Sequence, residues 1–93
     1  MRLNSIERDA VRRVLSDGLI GPIWLFGSRA DDSLRGGDLD LYLEPDQPVT
    51  LRQAITMEYR LSAECGCKVD LLIRNPGQPE QPIHVIAKQG VRL

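Results

Sequence analysis

The stretch LFGSRADDSLRGGDLDLYLE, Leu25 to Glu44, decides how this chain reads. An apolar run ends in Gly27-Ser28, a polar loop follows, and from Asp38 onward leucines alternate strictly with polar residues. Successive side chains of a strand point to opposite faces, so Leu39, Leu41 and Leu43 share one side and Asp38, Asp40, Tyr42 and Glu44 the other. Carboxylates so placed approach within about 5 Å, which at an effective dielectric near 20 amounts to roughly 3 kcal/mol of repulsion. The pattern suits either a solvated outer face or a place where a cation sits.

Before this stretch, Asn4 and Glu7 form a capping box that opens a helix with the apolar face Ile6, Ala10, Val11, Val14 and Leu15, stopped at Gly18. PIWLFG reads as a buried strand from Pro22 to Phe26. A helical turn follows from Ser28 to about Asp32, and SLRGG is a turn by composition. After the acidic strand, Thr50 and Gln53 cap a second helix with the stripe Leu51, Ala54, Met57 and Leu61. CKVDLLI is a third strand, with Val69, Leu71 and Ile73 opposite Lys68, Asp70 and Leu72. NPGQPEQP is a loop, and Pro82 opens a last short helix, PIHVIAKQ, ended by Gly90. The order implies an α/β (α+β) fold: one domain over residues 1–93, with a small three-stranded mixed sheet and helices packed on one face. The covered face takes the leucines and the open face the aspartates.

Composition narrows the function classes. A chain of 93 residues holds one core. With 42% hydrophobic and 27% charged residues it has an ordinary globular balance. A net charge of −1 and 4% aromatic residues argue against a nucleic-acid module, which needs a basic face and stacking rings. No apolar run nears the ~20 residues of a membrane span, and no signal-peptide core opens the chain. Cys65-Gly66-Cys67 is too tight for a relaxed disulfide and supplies too few ligands for structural zinc, so two free thiols in a reducing cytoplasm are expected. Arg8, Arg12 and Arg13 read as a solvated helix face or a partner contact. His84 reads as a packing or surface residue, and Trp24 and Phe26 as members of a core strand.

Asp70 adds a third carboxylate on a separate strand. Hard oxygen donors of this kind suit Mg²⁺, which takes one or two carboxylates and fills its remaining positions with water and substrate phosphate. Gly27-Ser28, where a strand meets a turn of helix, can hold phosphate oxygens. Three carboxylates and a phosphate-holding turn are the parts that phosphoryl or nucleotidyl transfer needs.

FGSRA, then GGDLDLYLE, then KVDLLI together resemble the minimal nucleotidyltransferases of the DNA polymerase beta-like superfamily, over roughly Ile6 to Ile73. The spacer from Ser28 to Asp38 is one residue shorter than usual in that family, Asp32 stands where a glycine is common, and Gly37 where a serine often precedes the first aspartate. The resemblance implies a nucleotidyltransferase fold, with Asp38, Asp40 and Asp70 as catalytic metal ligands for Mg²⁺, two ions in all. It implies Gly27 and Ser28 as nucleotide-binding residues and an NTP, ATP by analogy, as substrate. Arg29 either touches a phosphate or pairs with Asp31 or Asp32. The acceptor implied is a hydroxyl on a partner, a helical HEPN-type toxin or another copy of the chain, with the chain as antitoxin. The alternative is a non-catalytic antitoxin or accessory subunit that binds and neutralises that partner.

Overall fold

In the computed structural model the described residues are 2–15, 20–31 and 37–93. The helix stop at Gly18, Asp32 and the turn 33–36 lie outside them. Among the described residues three α-helices, α1 (Ser5–Val14), α2 (Leu51–Cys65) and α3 (Pro82–Lys88), accompany four strands, β1 (Ile23–Phe26), β2 (Leu39–Leu43), β3 (Val69–Ile73) and β4 (Val91–Arg92). The sheet order is β3-β2-β1-β4. β2 runs antiparallel to β1 and parallel to β3, and β4 runs antiparallel to β1. This is a small α+β domain on a mixed sheet. No helix among the described residues is long and apolar enough to cross a membrane.

Two of the expected helix starts form as capping boxes. Asn4 accepts from the Glu7 amide while Glu7 accepts from the Asn4 amide, and Thr50 and Gln53 repeat the exchange at α2. The core lies between α1, α2 and one face of the sheet, where Val11, Val14, Leu15, Leu25, Leu39, Leu41, Leu43, Leu61 and Val69 meet. β3 is an edge strand, and α2 closes its outer side. Ser62 Oγ accepts from the Val69 amide at 3.1 Å and Glu58 Oε2 from the Leu71 amide at 2.8 Å. These side chains occupy donors that would otherwise invite another strand.

The structure corrects the sequence reading at several points. The sheet has a fourth strand, β4, which is too short to carry an alternation signal. Gly90 permits it: a Cβ there would lie 2.2 Å from the Leu25 carbonyl oxygen, so only glycine lets the chain cross β1 this closely. The helices do not all pack on one face. α3 lies on the acidic side of the sheet, where His84 stacks on Tyr42 at 5.5 Å and Tyr42 meets Trp24 at 5.4 Å. Trp24 and Phe26 therefore sit half-buried on the α3 side rather than in the leucine core. Ile6 and Leu51, expected on buried stripes, are exposed, whereas Glu7 is buried.

Tyr42 is fully buried although the alternation puts it on the acidic face. Its hydroxyl donates to Glu44 at 2.7 Å, and Arg74, Lys88 and Glu80 complete a charge network that ties α3 and its loop to the sheet. Burial pushes the Tyr42 hydroxyl pKa up. Burial also opposes ionisation of Glu44, but hydrogen bonds from Tyr42 and Lys88 outweigh it and hold Glu44 below its usual value. Tyr42→Phe leaves Glu44 short of a buried donor and is expected to cost about 1–3 kcal/mol, read by urea denaturation.

Candidate active site

The site occupies one end of the sheet. β1 ends at Phe26 and passes into a 3-10 turn, Gly27–Ala30, while β2 and β3 both begin at this end. The parallel register places Asp40 directly opposite Asp70, and the antiparallel register places Phe26 opposite Asp40. Two carboxylates and the turn are thus brought together by strand pairing alone.

Gly27 adopts φ +73, and a Cβ there would lie 2.3 Å from Asp40 Oδ2 and 3.1 Å from its Cγ. The aspartate lies against the bare α-carbon of the turn. Gly27→Ala therefore adds left-handed strain of about 1–2 kcal/mol and pushes the Asp40 carboxyl off its seat. The expected result is a loss of stability of that order together with loss of any ligand affinity that Asp40 supports, measured by denaturation and by titration of Mg²⁺ with ATP.

Asp40 is only half-exposed, whereas Asp38 and Asp70 are exposed. Burial, then the neighbouring charges of Asp70 and Asp38, raise the Asp40 pKa above its ordinary 3.8, and a carboxyl–carboxyl hydrogen bond with Asp70 adds to this. Lys68 acts in the opposite direction, with its Nζ 3.9 Å from Asp70. Two carboxyls facing each other on adjacent strands offer the charge and the donor type that a hard cation takes. Among the described residues no three Asp, Glu, His or Cys side chains converge tightly enough to hold an ion by themselves. Protein ligation by two carboxylates, completed by water and phosphate, is the fit these residues allow for Mg²⁺.

Arg29 is turned inward. Its Nη2 pairs with Glu7, Nε donates to the Arg2 carbonyl at 2.7 Å, and Nη1 donates to the Gly37 carbonyl at 3.0 Å. Arg2 answers by donating to the Ser28 carbonyl at 3.1 Å. Arg29 thus fastens both ends of the polar loop, the turn at Ser28 and the residue before Asp38, to the start of α1. Glu7 was legible as a cap but not as the partner of Arg29, because no local spacing links residues 22 positions apart.

Lys68 was also missed as a site residue, although its place two positions before Asp70 puts it on the same strand face. A shallow cleft of about 630 Å³ adjoins Gly27, lined by Phe26, Ala30, Ile86, Gln89 and Gly90 among others. His84 is a packing residue, 3% exposed, with Nδ1 accepting from the Gln81 amide. Cys65 and Cys67 are free thiols. Burial drives the Cys65 pKa up to about 11, and burial followed by the charge of Glu7 raises that of Cys67, so neither suits nucleophilic chemistry.

No protein-family model matches the chain, and no curated protein matches it. What can be said of its function therefore rests on the site itself and on the motif pattern.

Proposed function

We propose that this chain is a Mg²⁺-dependent nucleotidyltransferase with a nucleotidyltransferase fold, moving a nucleoside monophosphate, AMP by analogy, from an NTP to a hydroxyl. The observation that carries the reading is the meeting of Gly27, Asp40 and Asp70 at one end of the sheet. The motif resemblance to minimal nucleotidyltransferases, carried by the same residues, agrees with it. Asp40 and Asp70, with Asp38 beside them, would hold Mg²⁺. The metal, when bound, neutralises phosphate charge and so lowers the barrier to displacement at phosphorus.

The chain's own residues do the rest. Gly27 and Ser28 hold triphosphate oxygens against the turn. The cleft beside Gly27 offers Phe26 and Ile86 as apolar surface for a base. Asp70, exposed at the rim, takes the proton of the incoming hydroxyl. A new bond forms between that oxygen and the α-phosphorus, the bond to the β-phosphate oxygen breaks, and pyrophosphate leaves with the electron pair. Arg29 acts in this reading as a positioning residue, since its donors are taken by Glu7, Arg2 and Gly37. A helical HEPN-type protein or a second copy supplies the acceptor, by resemblance, and the free thiols Cys65 and Cys67 suit a reducing, cytoplasmic setting.

A second reading, a non-catalytic antitoxin subunit that binds and neutralises its partner, is favoured by the exposed apolar residues of α2. Incubation with ATP radiolabelled at the α-phosphate, Mg²⁺ and host lysate separates the two. Transfer of label to a macromolecule by wild type and not by the Asp38→Asn/Asp40→Asn variant is expected. A biological effect that persists in that variant without any labelling would favour the binding role.

A further inference from the structure

The acidic face is not the only unusual surface. On α2, Leu51, Ile55 and Tyr59 are 77%, 60% and 75% exposed, and their spacing of four residues aligns them in one stripe along the helix. α2 packs through Leu61, Met57 and Cys65 on the leucine side of the sheet, so this stripe is on the opposite layer from Asp40. Three large apolar side chains in a row on one helix mark an interaction surface rather than scattered surface hydrophobes.

The charges beside the stripe indicate its occupant. Arg52 and Arg60 flank it, both exposed, and neither forms an ion pair among the described residues. The acids of the same helix are committed elsewhere: Glu58 accepts from the Leu71 amide, and Glu64 pairs with Arg13 at 3.0 Å. The unpaired charges that α2 itself presents beside the stripe are therefore cationic. The backbone groups of α2 are satisfied within the helix, so recognition must come from side chains packing as a ridge into a groove, which another helix provides. A second copy laid antiparallel on the stripe would set arginine against arginine, which disfavours self-pairing.

From these observations we propose that Leu51, Ile55 and Tyr59 dock an amphipathic helix of another protein, whose apolar ridge is flanked by acidic residues that meet Arg52 and Arg60. This surface is independent of the proposed transfer chemistry, since Asp40 lies on the other face of the sheet.

The test titrates wild-type protein with two fluorescent synthetic amphipathic helices of identical apolar ridge, one flanked by glutamates and one by lysines. The expected result is binding of the glutamate peptide alone. Ile55→Ser/Tyr59→Ser should weaken it about tenfold or more. Arg52→Glu/Arg60→Glu should lose the glutamate peptide and gain the lysine one. Thermal melting confirms that each variant stays folded, as expected for exposed positions. Equal binding of both peptides, binding of neither, or a wild-type dimer in sedimentation that Ile55→Ser dissolves would overturn the proposal.

Discussion

Asp40→Asn is expected to make the metal-free protein more stable at neutral pH while removing its response to Mg²⁺ and ATP. The native carboxyl is held above its ordinary pKa of 3.8 by burial and by Asp70 and Asp38. In the unfolded chain that carboxyl loses its proton first as pH rises. Wild-type stability therefore falls from pH 3.8 up to the raised native value and stays lowered above it. Asparagine carries no such penalty, and its amide can donate to the Asp70 carboxylate. A gain of about 0.5–2 kcal/mol is expected, with a gap between variant and wild type that opens across that pH window and is constant above it. A variant less stable than wild type at neutral pH would mean that the acid pair supports the fold rather than a ligand. Mg²⁺ with ATP should raise the melting temperature of wild type only, because binding to the native state shifts the equilibrium by mass action.

Glu7→Ala should produce the largest loss of stability. Glu7 is 4% exposed and pairs with Arg29, whose side chain is 11% exposed, and it also accepts the Asn4 amide that caps α1. Removing one partner of a buried pair leaves the other charge uncompensated, at a cost of about 3–5 kcal/mol. That is a large part of the 5–15 kcal/mol typical of a domain. Glu7→Gln keeps the cap acceptor and should lose less. Urea denaturation measures both. A loss below about 1 kcal/mol for Glu7→Ala would place the pair among solvated surface bridges. Because Arg29 also holds Gly37, next to Asp38, the same substitution should loosen the site end of the sheet.

Strand pairing explains why the grouping of carboxylates in the candidate site was legible in the chain. Period-two alternation put Asp38, Asp40 and Asp70 on one face, and the parallel register then set Asp40 against Asp70. The capping boxes at Asn4 and Thr50 were legible because each involves only four consecutive residues. What escaped depends on contacts between distant segments. β4 is two residues long and exists because Gly90 lets it approach β1. Tyr42 shares the polar alternation of Asp40 but is buried, because α3 brings His84 onto it from 42 positions further along the chain. Arg29 read as a phosphate contact or a partner of Asp31 or Asp32, and only the fold delivers Glu7 to it. Leu51 belongs to the apolar pattern of α2 but starts the stripe that faces outward.

Calorimetric titration of ATP into the wild-type protein, with Mg²⁺ present and then with chelator, tests the assignment of the acidic face most directly. The expected result is saturable binding that requires Mg²⁺ and disappears in Asp40→Asn. Absence of binding with Mg²⁺, or equal binding by wild type and Asp40→Asn, would contradict it.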